Sequence, residues 1–264
     1  MHVAAVFLMC VLLAITARPG AAFAETEVDL ELVLAVDVSR SMDLDELDVQ
    51  REGYVAAFQH PHVVTAIRSG PLGRIAVAYV EWAGPQSQTI VVPWTLIDSE
   101  TSAQEFAVRL SASGRGRYMW TSISAGLLFA AATFANNNFT SVRQVIDVSG
   151  DGPNNRGSPI EIVRSSVVAS GITINGLPLV LKRHGPYSIP NLDVYYEDCV
   201  IGGPGAFLIP VHETSQLAMA IRRKLLLEIA GGASSLILNA SETQLAPRID
   251  CLIGEKLIEQ RLGR

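Results

Sequence analysis

The sequence predicts a doubly wound α/β fold, a mostly parallel sheet with helices on both faces. Three observations carry the prediction. Leu30 to Val36 and Gln144 to Val148 are almost wholly apolar, the pattern of strands covered on both faces by helices. Other strand-length apolar runs alternate along the chain with stretches whose apolar residues recur at helical spacing. Oxygen-bearing residues gather directly after the two apolar runs, where open parallel sheets collect their ligands.

The elements follow in order. After the strand at Leu30 to Val36, Asp45 to Gln59 carries Leu47, Tyr54, Val55 and Phe58 at helical spacing. His60-Pro61-His62 ends that helix, and a short helical piece continues to Arg68. Arg74 to Trp82 and Thr89 to Trp94 read as strands separated by the turn signal Gly84-Pro85. Ala103 to Leu110 is helical, Ser111 to Arg117 is a loop rich in glycine and arginine, and Thr121 to Phe134 is a second long helix. Beyond Gln144 to Val148, Ser158 to Ser170 is a helix with a serine cap and a proline in its first turn. Strands are expected at Ile172 to Leu181 and Ala206 to Val211, and a helix at Ser215 to Ile229. The stretch from Gly231 onward has no clear place in this scheme.

The start of the chain reads as a secretory signal. Val3 to Thr16 is apolar and uncharged, and the small residues around Ala22 and Ala24 precede the polar Glu25-Thr26-Glu27. Cleavage is expected after Ala24, which assigns residues 1–24 to a signal peptide, 25–231 to the α/β domain and 232–264 to a C-terminal extension. The apolar run falls short of the ~20 residues that span a bilayer, so no stable membrane insertion is expected after cleavage. Leu8-Met9 before Cys10 does not suit lipidation. A periplasmic or secreted location follows.

Net charge is −6 for the whole chain; without residues 1–24, which hold Arg18 and no acidic residue, 19 basic side chains face 26 acidic ones. That balance argues against nucleic acid as a partner. Cys199 and Cys251 are the two cysteines left after cleavage. In an oxidising compartment an even pair reads first as a disulfide, with two separate buried thiols as the alternative. A disulfide would tether the C-terminal extension to the loop around Cys199.

The first apolar strand runs into Asp37-Val38-Ser39-Arg40-Ser41. Oxygen-bearing side chains at alternate positions can converge on one point as the chain leaves the sheet. A hard divalent cation such as Mg2+ or Mn2+ takes oxygen ligands, and hydroxyls supply them without over-neutralising the ion. Taken alone, Ser39 and Ser41 read first as caps of the next helix, and Asp151-Gly152 reads first as a turn.

Asp37-x-Ser39-x-Ser41 resembles the metal-ion-dependent adhesion site of von Willebrand factor A domains. The likeness extends to Thr121, ahead of the second long helix, and to Asp151-Gly152 after the next central strand, and covers roughly Asp29 to Gly231. The pattern of Val145 to Asn155 and of Ala220 to Leu225 is similar to a bacterial branch of these domains. The resemblance implies a doubly wound fold in which Ser39, Ser41 and Thr121 contact the metal. Asp37 and Asp151 would bind it directly or through water, and a protein partner would complete the shell with an acidic side chain. Family members usually have glycine before the threonine, where Met119-Trp120 stand here; Ser122 and Ser124 are the neighbouring hydroxyls that could substitute.

Other residues have simpler readings. Asp147, charged within an apolar strand, is either an outer-shell carboxylate or, preferably, half of a buried pair with an arginine or hydroxyl. Arg115 and Arg117 read as part of a solvated, mobile loop that borders the metal face and could meet an acidic partner. Asn154 and Asn155 read as turn formers, and His60, His62, His184 and His212 lack zinc-like spacing. The residues offer no nucleophile elbow, P-loop or His-Glu-x-x-His, which favours a non-enzymatic binding module. The alternatives are a magnesium-dependent hydrolase or phosphatase with Asp37 as nucleophile, and a scaffold whose metal site has decayed.

Overall fold

A computed structural model describes residues 25–114, 116–135, 137–181, 188–231 and 248–263. The expected signal peptide, Arg115, His184 and residues 232–247 lie outside that set. In chain order the elements are β1 (Thr26–Glu27), β2 (Glu31–Asp37), α1 (Leu44–Phe58), α2 (Pro61–Arg68), β3 (Ile75–Trp82), β4 (Gln88–Ile97), α3 (Glu100–Ala112) and α4 (Ile123–Ala132). There follow β5 (Phe139–Thr140), β6 (Gln144–Gly150), α5 (Ile160–Ala169), β7 (Ile172–Pro178), α6 (Leu192–Tyr195), a π-helical turn at Tyr196–Val200, α7 (Leu217–Ile229) and α8 (Ile253–Leu262).

The main sheet has the order β4-β3-β2-β6-β7, parallel except for β4, which joins β3 antiparallel through a hairpin. Every residue of β2 is buried, because the strand is central and both faces are covered. Its side chains alternate between two cores. Leu32, Leu34 and Val36 pack with Tyr54 and Phe58 of α1, Phe106 of α3 and Ile221 of α7. Val33 and Ala35 pack on the other face with Leu127 of α4, Val163 of α5, and Tyr196 and Cys199 of the π turn.

Where the structure departs from the sequence reading, tertiary contacts are responsible. Ala206 to Val211 forms no strand; it runs beside β7 and the residue after it through isolated bridges at Leu208 and Val211, and Phe207 N–H donates to Asn175 Oδ1 (2.9 Å). Ser158 does not cap α5, whose cap position is Pro159. The stretch after Gly231 contributes α8, which packs behind β6, and Cys251 is bonded to Cys199. Gly254 of α8 sits so close to the Asn154 carbonyl that a methyl group there would lie 2.0 Å from it.

The pair expected for Asp147 exists, with a lysine. Lys224 of α7, fully buried, lies 2.8 Å from Asp147 Oδ1 and also bonds Glu228 one turn on. Asn175 of β7 donates to Glu228 Oε1 (3.1 Å). Burial is the main influence on Asp147 and raises its pKa; Lys224 pulls it down and Glu228 pushes it up, leaving it at about 7. The unfolded chain would hold the same group near 3.8, so the folded chain binds the proton more tightly. The stability from this group is therefore complete below the unfolded value and is lost as pH rises through about 7. Urea unfolding should show stability falling over that range, and Asp147→Asn should flatten the fall. Separately, the Cys199–Cys251 bond closes a 52-residue separation, for which chain entropy gives about 4 kcal/mol. Unfolding with and without reductant should differ by a shift of that order, and Cys251→Ser should reproduce the reduced protein.

Candidate metal centre

The C-terminal ends of β2, β3 and β6 meet at one rim of the sheet. Val36 pairs with Ser149, so Asp37 and Gly150 leave the same ladder side by side. Val38 N–H donates to Trp82 O (2.9 Å), and Ser122 N–H donates to Ala83 O (2.7 Å), which brings the loop before α4 to the end of β3. Three segments distant in sequence are thus set next to each other by strand order alone.

Within this rim the five residues singled out in the sequence form one connected group. Asp37 Oδ1 accepts from Ser39 N–H at 2.7 Å. The Ser39 and Ser41 hydroxyls are 2.7 Å apart, and Ser41 Oγ donates to Asp151 Oδ1 at 2.6 Å. Thr121 Oγ1 lies 3.4 Å from Ser39 Oγ. Ser122 and Ser124 are turned inward: Ser122 Oγ caps α4 and lies 3.3 Å from Ser124 Oγ. Thr121 is therefore the hydroxyl of its loop that reaches the group.

The donor set suits a hard divalent cation. Burial, then the neighbouring Asp151 charge, push Asp37 well above the usual carboxylate range, although Ser39 and Asp151 hydrogen bonds oppose the shift. A cation placed between the carboxylates would reverse both effects. Asp37 Oδ2 is buried and has no hydrogen-bond partner among the described residues. Gly150 keeps the space beside it clear: a methyl group on Gly150 would lie 2.9 Å from that oxygen. Among the described residues no three His, Cys, Asp or Glu side chains gather to hold a metal, so hydroxyls would share the coordination here.

Sequence reasoning missed what holds the loops. Asn154 and Asn155 are buried clamps rather than simple turn formers. Asn155 Oδ1 accepts from Thr121 N–H (3.0 Å), Asn155 N–H donates to Thr121 O (2.8 Å), and Asn154 Oδ1 accepts from Ser124 N–H (3.0 Å). Asn154 is fixed in turn by Tyr195 Oη (3.1 Å) and by Glu255 of α8 (2.7 Å). The adjacent Asn-Asn dipeptide was the visible signal, but its partners lie 30 or more residues away. The glycine- and arginine-rich loop is also held, not free. Buried Arg51 pairs with Glu81 and donates to Ser113 O (2.6 Å), Gly116 N–H donates to Glu81 (3.1 Å), and Tyr118 bridges to Ser39. Trp120 takes φ +73°, the left-handed conformation a glycine would adopt without strain, with Arg156 stacked 4.3 Å from its ring.

The family described as "Protein of unknown function (DUF1194)" matches residues 27–233. The chain belongs to that family. No curated protein matches the sequence of this DUF1194 member. Its fold is that of von Willebrand factor A-like domains, as solved structures show. Proximal thread matrix protein 1 of the mussel byssus aligns over 78% of this chain and 49% of its own, at 14% identity and TM-score 0.55. A second structure of that protein has zinc in its metal-ion-dependent adhesion site, at 13% identity and TM-score 0.53, over 78% of this chain and 47% of its own. The pilus adhesin SpaC of Lactobacillus rhamnosus GG aligns over 78% of this chain and 32% of its own, at 13% identity and TM-score 0.55. A von Willebrand factor type A protein of Catenulispora acidiphila aligns over 76% and 43%, at 13% identity and TM-score 0.50. The chain thus spans half or less of each of these structures.

Asn155→Ala tests the clamp. It leaves the Thr121 N–H buried without its acceptor, and a loss of about 1–3 kcal/mol in urea unfolding is expected.

Proposed function

We propose that this domain is a non-enzymatic adhesion or assembly module that grips a protein partner through Mg2+ or Mn2+ held by Asp37, Ser39, Ser41, Thr121 and Asp151. The observation that carries the reading is the convergence of those five oxygen donors on one rim, with Asp37 Oδ2 buried and unpartnered. The cation supplies an electrophilic contact that a partner's carboxylate completes. The chain's own residues orient the donors, shield one flank from water and leave Ser41 half-exposed at the opening. Support comes also from the zinc-bearing byssus protein and the pilus adhesin, which share the fold.

The partner is an acidic protein. Arg40 and Arg117 are exposed beside the Asp37 loop, Arg117 reaching the Arg40 and Met42 carbonyls (3.4 Å), and Arg156 lies across Trp120. In a chain of net charge −6, this group of cations supports recognition of more than one carboxylate. We place the module in the periplasm or outside the cell, as a 25–231 domain with a 232–264 extension freed from its signal peptide. The disulfide supports an oxidising compartment. Among the described residues no helix is long and apolar enough to cross a membrane. A hydrolase reading is less well supported: the Asp37 side chain is 0% exposed, and the residue two places on is Ser39 in place of an acid.

Binding of the ion should raise thermal stability by mass action, about 2.7 kcal/mol at a hundredfold excess over Kd. Scanning calorimetry in millimolar Mg2+ or Mn2+ should show the increment, and Asp37→Ala or Asp151→Ala should remove it while the metal-free melting transition persists. Melting indifferent to both ions would end the reading.

A further inference from the structure

Tyr196 opens the π-helical turn behind β6, and its hydroxyl is buried with no hydrogen-bond partner among the described residues. The hydroxyl faces the end of β6: a methyl group on Gly150 would lie 3.0 Å from it and 2.9 Å from Asp37 Oδ2. The two oxygens therefore flank the same point, and both are buried polar atoms without a protein partner there. One is an O–H donor and the other a carboxylate acceptor, so their chemistries are complementary. Buried hydroxyls and carboxylates left unsatisfied are rare enough in native proteins to call for an explanation.

We propose that Tyr196 is a positioning residue of the cation site, its hydroxyl directed at the Oδ2 side of Asp37 so that this carboxylate is oriented for the metal. The inference rests on the cation reading of the site. Asp37 Oδ1 accepts from Ser39 N–H, while Oδ2 lies on the Gly150 side that the Tyr196 hydroxyl faces. Gly150 is the residue that permits the approach, since any side chain there would meet both oxygens.

The turn that carries Tyr196 is itself braced. Cys199, three residues on, is bonded to Cys251, which leads into α8 and its packing on Asn154. π-helical turns concentrate at functional sites because the extra residue re-aims a side chain. Tyr195, next to it, donates to Cys251 O (3.4 Å) and accepts from Asn154 N–H, so the two tyrosines divide the work: one fixes the Asp151 loop and the other faces Asp37. Residues in this outer position typically change metal affinity 10–100-fold when altered.

The test is Mn2+ titration of the full chain by calorimetry, comparing wild type, Tyr196→Phe and Tyr54→Phe. Tyr54 is a control, a buried tyrosine that packs with Tyr79 on the α1 face. Tyr196→Phe should weaken Mn2+ binding by about tenfold or more, with the metal-free melting temperature unchanged or raised, while Tyr54→Phe binds like wild type. Should Tyr196→Phe also melt lower, its Mn2+-induced rise over its own metal-free value is the measure, and a smaller rise than wild type's supports the role. Equal affinity and an equal rise in wild type and Tyr196→Phe would overturn the inference and leave the cation reading standing. Wild type that takes up no Mn2+ would overturn both.

Discussion

The burial of the Asp37 carboxylate at the end of the central strand is the constraint around which this rim is organised. A carboxylate removed from water beside a second carboxylate is costly unless something compensates it. Asp37 cannot move away, because β2 lies between β3 and β6 and its end is fixed by both ladders. Asp151 cannot retreat either. It follows β6 directly, and the next turn is clamped to Thr121 by Asn155 and to α8 by Asn154. The loops spend their hydrogen bonds on holding two acidic groups near three hydroxyls.

Other buried carboxylates of the same sheet and its helices show how this protein compensates such groups with its own residues. Asp147 and Glu228 are matched by Lys224, and Asn175 donates to Glu228. Glu31 accepts from Asn137, Ser141 and Gln144, and Glu81 from Arg51 and Gly116. Each of these carboxylates meets a cation or at least two donors of the chain, although Glu228 Oε2 has no hydrogen-bond partner among the described residues. No lysine or arginine among the described residues is paired with Asp37; Ser39 and Asp151 supply the hydrogen bonds to its carboxylate. A cation at the rim, as proposed above, would supply what the chain's own lysine and arginine supply to Asp147 and Glu81.

The doubly wound core was legible in the sequence because its signals are local, and so were Asp37, Ser39 and Ser41, which follow an apolar run; Thr121 and Asp151 were singled out through the resemblance to von Willebrand factor A domains. β2 and β6 stand within a residue or two of where the pattern puts them, and strand order then brings Asp37, Thr121 and Asp151 together. The disulfide was legible from cysteine count and compartment. What was not legible is tertiary. Asn154 and Asn155 look like turn residues because that is their local preference, yet their partners are set by the fold. Lys224 reads as one of several cations on α7 until the helix is docked on Asp147. Tyr196 carries no sequence signal at all, since its meaning depends on Gly150 and Asp37 lying opposite. The stretch from Ala206 to Val211 has strand composition, but its contacts with the β7 edge are too sparse to build a ladder.

Trp120 shows how a departure from a familiar pattern can leave the geometry intact. The backbone there is left-handed, which costs a non-glycine residue about 1–2 kcal/mol, so the surroundings must over-determine it. They do so from both sides: the Thr121 backbone is pinned at N–H and carbonyl by Asn155, and Ser122 N–H is tied to β3. The indole then becomes a platform for Arg156, half-buried beside the rim. A glycine at this position would give the same turn but no surface for the arginine. The tryptophan keeps Thr121 beside the other hydroxyls and sets a cation at the edge of the rim, both from one piece of backbone.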